Sequence, residues 1–217
     1  MKIRLPQRKN IKDSHQGDPL KFYYFPVVRS FYKARLADAA RLLGGHVSRL
    51  LEVGCGSGIF LPELAGHCDS LFACDIHDNI CFVKDMLIAE KVDVELVHAD
   101  ACSLPYDSES MDGIVCMSVL EHLHDLKTPV DEFYRILRPG GIAIIGVPVT
   151  NLISTVMLKT ACFFGCPDTR IENEHVSSDS DIHNVLTERF IVEDVLNIPR
   201  FIPRAFRMYC TMRFLKS

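Results

Sequence analysis

Five short apolar runs rich in β-branched residues recur between residues 49 and 149: RLLEV, SLFACDI, VELVHA, MDGIVCM and GIAIIGVPV. Between them the apolar positions change to a helical period, which predicts helices over about 58–66, 78–90 and 128–137. In the last of these, TPVDEFYRIL, the apolar residues Val130, Phe133, Ile136 and Leu137 fall on one helix face, and Pro139-Gly140-Gly141 ends the element. Strands that alternate with helices need crossover connections. The runs are therefore expected to lie parallel in a doubly wound, Rossmann-like α/β sheet with helices on both faces.

The flanks read differently. Residues 19–43 have the pattern of an N-terminal helical cap, with aromatics at Phe22, Tyr23, Tyr24, Phe25, Phe31 and Tyr32 that fit either core packing or the cover of a pocket. After the fifth run, residues 149–186 are too long for a plain connection and read as a substrate-side insertion or lid. Thr187 is placed to cap a helix through about 197, and RFIPRAFRMYCTMRFLK offers two closing strands, which would bring the mainly parallel sheet to seven. The expected organisation is a basic tail and cap over 1–44, a core over 45–148, the insertion over 149–186, and a final helix and strands over 187–217.

Composition narrows the classes. A chain of 217 residues with 48% hydrophobic and 24% charged residues and a net charge of -4 is that of an ordinary globular domain, with no phosphate-tracking basic surface and so no nucleic-acid partner expected. The nine cysteines are odd in number, scattered through apolar segments and without a CxxC pair, which predicts thiols in a reducing cytoplasm and no structural zinc. The basic N-terminus lacks the apolar stretch of a secretory signal. No apolar run reaches the length of a membrane span. The nearest, NLISTVMLKTACFFGC, is interrupted by Lys159 and reads as a buried or interfacial helix.

The chemistry begins where the first run breaks into glycine, LLEVGCGSGIF. In a doubly wound sheet, ligands sit at the carboxyl ends of the strands, and glycines there allow a tight turn and bring main chain against the ligand. A dinucleotide fingerprint would carry a third glycine where Ile59 stands. Glu52 before the turn, Asp75 at the end of the second strand and Asp100 at the end of the third are carboxylates in one register. They suit an adenosine with a cationic amino-acid tail. Each alone has a plainer role, as a turn or helix cap.

Together, LLEVGCGSG, CDI, HADACSLPYDSESMDGIVCMSVLEHL and FYRILRPGGIAIIGVP resemble the class I S-adenosylmethionine-dependent methyltransferases of the small-molecule type that includes ubiquinone-biosynthesis enzymes. The resemblance covers about residues 45–148. It implies methyl transfer from S-adenosylmethionine, leaving S-adenosylhomocysteine, to a small-molecule acceptor, with O-methylation the commonest outcome. By the resemblance, Glu52, Gly54, Cys55, Gly56, Ser57 and Gly58 would line the methionine moiety. Asp75 would hold the ribose, Ile76 would pack on adenine, and Asp100, Ala101 and Cys102 would meet its edge. Met117, Ser118 and His122 would border the methyl-bearing end.

A base is needed only for an acceptor that must lose a proton; His122 and His183 are the candidates, with His124 and His175 behind them. Some relatives bind a metal through E-x-x-E-H, but Ser118 replaces the first glutamate, so no metal is expected. Basic residues beside aromatics at both ends fit either solvated sheet edges or a peripheral contact with an anionic membrane, and an apolar or lipid-like acceptor would suit the insertion. Two other readings stand beside the enzyme: a cofactor-binding module without catalysis, and a nicotinamide-dependent oxidoreductase. The oligomeric state is not legible.

Overall fold

The computed structural model describes residues 3–14, 18–26, 28–149, 176–201 and 203–217. Its strands are β1 (Val47–Val53), β2 (Cys68–Asp75), β3 (Glu95–His98), β4 (Met111–Met117), β5 (Leu137–Pro148), β6 (Ile191–Ile198) and β7 (Tyr209–Leu215). They form one seven-stranded sheet in the order β3-β2-β1-β4-β5-β7-β6. β1 pairs in parallel with both β2 and β4, whereas β7 runs antiparallel to β5 and β6. The chain builds outward from β1 to β3 and then returns to β4, so the strand order reverses between β1 and β4. That reversal opens a crevice at the carboxyl ends of the two strands.

The helices are α1 (Leu20–Tyr24), α2 (Arg29–Leu43), α3 (Leu61–Leu64), α4 (Ile80–Glu90), α5 (Lys127–Ile136) and α6 (Asp179–Thr187). Successive strand residues point to opposite faces. Leu51, Val53, Cys74 and Ile114 pack with Phe133 and Ile136 of α5 and Ile182 and Leu186 of α6. Leu50, Ala73, Val115 and Ile144 pack with Leu36 and Ala39 of α2 and Val83 and Met86 of α4. Burial on both faces explains why the central strands read as continuous apolar runs rather than alternating ones. α2 stops at Gly44, whose φ of 77° is the left-handed end of a helix, and Arg213 of β7 caps it by donating to the carbonyls of Leu42 at 2.6 Å and Leu43 at 3.1 Å.

The C-terminal third departs from the sequence-based expectation. Thr187 ends a helix instead of starting one, and residues 191–198 are a strand. The helix starts at a capping box, Ser178 Oγ accepting from the Asp181 N–H at 3.2 Å, inside the stretch expected to belong to the 149–186 insertion. Of the two closing strands expected after residue 200, one forms, β7. Most of the 149–186 insertion lies outside the described residues. Among the described residues no helix is long and apolar enough to cross a membrane.

Candidate active site

β1 delivers the chain into a turn in which Gly54, Gly56 and Gly58 adopt φ of 75°, 53° and 77°. The N–H groups of Gly54 and Cys55 both donate to the Cys74 carbonyl, at 2.9 and 3.1 Å, and Gly58 N–H closes the turn on the Cys55 carbonyl at 2.8 Å. Side chains are excluded as well as disfavoured. A Cβ on Gly58 would lie 2.7 Å from Met86 Cε and 2.8 Å from Val83 Cγ1 of α4, and one on Gly54 would fall inside the Val119 side chain. Cys55 and Ser57 are buried, which leaves their main chain as their contribution to the crevice. Ser14 of the N-terminal segment crosses over Gly56 and is anchored by Asp18, which accepts from its hydroxyl at 2.7 Å.

Carboxylates gather around this turn. Glu52 is 4% exposed; burial first, and Asp75 second, push its carboxyl well above the usual range, and its Oε2 has no hydrogen-bond partner. Asp75 accepts from Gly56 N–H at 2.6 Å through Oδ2 and from His77 N–H at 3.2 Å through Oδ1. Asp100, exposed, accepts from Cys102 N–H at 2.8 Å, with Ala101 buried between them. Burial pushes the Cys74 thiol up to about 12, the Gly54 amide opposes the rise, and Asp75, Glu52 and Asp100 all add to it. Beside Asp75, Ile76 stands 63% exposed, an apolar side chain at the rim of the crevice.

At the end of β4 lies a second constellation. Ser118 takes a φ of 59°, a conformation that strains a residue with a Cβ by about 1 kcal/mol or more, and its N–H donates to the Gly146 carbonyl at 2.8 Å. Arg35 of α2 reaches across to it. One guanidinium nitrogen donates to Ser118 Oγ and, at 3.2 Å, to Tyr209 Oη of β7, while Ser118 Oγ and Tyr209 Oη are 2.9 Å apart. The guanidinium also lies 4.1 Å from the Tyr209 ring centroid and 5.1 Å from that of Tyr32. Glu121 follows in the short 3-10 turn Leu120–His122; it is 2% exposed and neither carboxyl oxygen makes a full hydrogen bond. Burial raises its carboxyl to about 7, with its own backbone amide, Arg35 and Ser118 opposing the rise.

The structure thus brings Glu52, the glycine turn, Asp75 and Asp100 together at one edge, with Met117 ending β4 and Ser118 and an exposed His122 following it at the same edge. His183 is elsewhere. Its ring centroid is 6.3 Å from that of Phe214, which pairs with Ala143 in the middle of β5, about 16 Å along β7 from Tyr209. His124 is exposed, and His175 lies outside the described residues. Arg35, Glu121 and Tyr209 were not among the expected site residues. Arg35 carried a signal: it falls three residues after Tyr32 and four before Ala39, on the apolar stripe of α2, where a charge needs a reason. Among the described residues no group of three or more His, Cys, Asp or Glu is gathered that could hold a metal ion.

Residues 51–145 match a family model described as a methyltransferase domain. A demethylmenaquinone methyltransferase of Staphylococcus epidermidis is 31% identical over 100 residues, which cover 45% of this chain and 42% of that protein. The chain therefore spans less than half the length of that relative. The O-methyltransferase cnsE of Penicillium expansum is 29% identical over 184 residues, covering 79% of this chain and 62% of its own. Among solved structures, the N-methyltransferase NodS from Bradyrhizobium japonicum WM9, in complex with S-adenosyl-L-homocysteine, superposes with a TM-score of 0.68 at 21% identity over 94% of this chain and 95% of that one. Geranyl diphosphate methyltransferase in complex with SAM gives 0.67 at 13% identity, over 88% and 87%. Residues 51–145 thus match a methyltransferase domain, and the chain shares the fold of these methyltransferases, with the same reversal of strand order beside a glycine turn.

Proposed function

We propose that this protein transfers a methyl group from S-adenosylmethionine to a small-molecule acceptor, and that the receiving atom is an oxygen. The observation that carries the reading is the convergence of Glu52, Asp75 and Asp100 about a turn of left-handed glycines, with one oxygen of the Glu52 carboxyl buried and unpartnered. A buried acceptor without a donor fits a ligand that brings one, and an amino-acid ammonium is such a group. Asp75 keeps lone pairs for two ribose hydroxyls while its backbone donors fix it, and the exposed Ile76 offers an apolar face to a base. Asp100, Ala101 and Cys102 would meet the base edge, and Met117, Ser118 and His122 would border the reacting end. When bound, the cofactor supplies an activated methyl; the chain's own work is to orient and desolvate the acceptor.

A dinucleotide fits less well. Ile59, where its fingerprint needs a glycine, belongs to the core on the α2 and α4 face. The relatives' names, demethylmenaquinone methyltransferase in one case and O-methyltransferase in another, support a small-molecule acceptor. Calorimetric titration of S-adenosylhomocysteine and, separately, NAD tests the reading, with Asp75→Ala as control. Micromolar-range binding of the former, weakened in the variant, supports it; binding of NAD alone overturns it.

A further inference from the structure

We propose that Glu121 takes the proton from the acceptor, and that Arg35, aided by Ser118 and Tyr209, holds the oxyanion left behind, so that the acceptor is a hydroxyl compound and not an amine. The inference rests on the methyl-transfer reading above. It starts from an imbalance inside the fold. Arg35 is 8% exposed and permanently charged, yet its hydrogen bonds go to two neutral hydroxyls, Ser118 Oγ and Tyr209 Oη, and its Nε has no acceptor. Glu121 is 2% exposed, and its carboxyl oxygens, near its own backbone amide and the Ser118 hydroxyl, make a full hydrogen bond to neither. The two feel each other electrostatically without forming an ion pair. Two buried opposite charges with unused hydrogen-bonding capacity, at the end of the strand that borders the crevice, are arranged for a polar group that neither of them yet contacts.

Charge balance selects that group. When a hydroxyl gives its proton to the Glu121 carboxylate, one anion replaces another in the field of the same guanidinium, and the buried charge is unchanged. The O–H bond breaks toward Glu121. The oxygen's electron pair forms the new O–CH3 bond, and the pair of the broken S–CH3 bond returns to sulfur, turning sulfonium into thioether. An amine would instead develop positive charge beside Arg35, which is unfavourable in a dry site. The main chain that carries the base is also anchored. The N–H groups of Val176 and Ser177 both donate to the Glu121 carbonyl, at 2.8 and 3.2 Å, and Ser177 Oγ donates to the Leu123 carbonyl at 2.7 Å. The charged side chain that opens α6, Asp179, is paired with Arg204 at 2.8 Å. With its carboxyl raised by burial to about 7, Glu121 both accepts and releases a proton near neutral pH. The exposed His122 next to it lacks that burial.

The test uses the purified full chain, wild type, Glu121→Gln and Glu121→Asp. Binding of S-adenosylhomocysteine is measured first; its absence in the wild type defeats the methyl-transfer reading itself. In the wild-type complex, bound para-nitrophenol is expected to show a phenolate absorbance band below the pH at which the free phenol ionises, and Glu121→Gln is expected to lose it with S-adenosylhomocysteine affinity unchanged. Turnover of a panel of phenols and primary amines is then read as S-adenosylhomocysteine release. Phenols are expected to react, with a loss of at least about 100-fold in Glu121→Gln, partial rescue in Glu121→Asp and disappearance of the acidic limb of the pH profile. Methylation of amines alone, no turnover of any phenol, no phenolate band in the wild-type complex, or a Glu121→Gln enzyme that keeps rate and pH profile overturns the proposal while leaving the cofactor reading standing.

Discussion

The backbone N–H of Gly56 donates to Asp75 Oδ2 at 2.6 Å, so the carboxylate at the end of β2 is fixed by the turn at the end of β1. The link is reciprocal, because the His77 ring nitrogen Nε2 lies 2.8 Å from the Gly56 carbonyl. His77 thus fixes both the carboxylate at the end of β2 and the main chain of the glycine turn.

Asp75→Ala is therefore expected to weaken S-adenosylhomocysteine binding by about 10- to 100-fold, the equivalent of one or two hydrogen bonds to a charged group. The fold should survive, since Asp75 is half-buried at the sheet edge. Calorimetry gives the affinity and a thermal melt the stability. An unchanged affinity would remove Asp75 from the site.

Two glycines with the same φ of 77° separate backbone strain from crowding. Gly140→Ala meets nothing within 4 Å and is expected to destabilise by about 1 kcal/mol, the left-handed backbone alone. Gly58→Ala also drives a methyl into Met86 and Val83, adding about 1–3 kcal/mol. Denaturant melts of the two variants should therefore differ in midpoint, with Gly58→Ala the weaker. Equal midpoints would mean that α4 shifts freely to make room.

Much of this was written in the chain. The runs RLLEV, SLFACDI, MDGIVCM and GIAIIGVPV correspond to β1, β2, β4 and β5, whose apolar residues pack on both faces of the sheet, and VELVHA corresponds to β3, an edge strand with Glu95 and His98 exposed. The glycine turn and the three strand-end acids were legible because each sits at a fixed offset from a strand end. β6 was not: IVEDVLNI is an edge strand with Ile191, Glu193, Asp194 and Val195 exposed, so its polar content mimics a helix surface. The contact of Arg35 with Tyr209 joins residues 174 apart, through an antiparallel strand that no local pattern announces. Glu121 was quoted within its motif, but burial, which gives it chemistry, is a property of packing.

The ring and the hydroxyl of Tyr209 are predicted to act separately. Tyr209→Phe keeps the ring 4.1 Å from the Arg35 guanidinium and removes only the oxygen shared with Arg35 and Ser118. The expected loss is about 1–2 kcal/mol, roughly 2–8 °C in Tm for a chain of this size. Tyr209→Leu gives up the cation–π contact as well and should fall further. A double-mutant cycle of Tyr209→Phe with Ser118→Ala measures the coupling; additive losses would mean that the hydroxyls are independent.

The Glu121 carboxyl also sets a pH dependence of stability whose sign runs opposite to that of an ion-paired acid. Its value in the fold is about 7 against an ordinary 4.5, so between these values the folded state binds more protons than the unfolded one. Stability must then fall as pH rises from about 4.5 to about 7, by up to roughly 3 kcal/mol from this group, and stay low above. Glutamine has the same shape and no ionisation. Glu121→Gln is therefore expected to match the wild type near pH 4.5 and to melt several degrees higher above about pH 8. Glu52, pushed the same way, is present in both proteins and drops out of the difference, and a Glu52→Gln background checks that the two do not couple. A Tm difference that stays flat across pH would mean that Glu121 ionises as readily in the fold as outside it. The dry, base-bearing crevice that the proton transfer requires would then not exist.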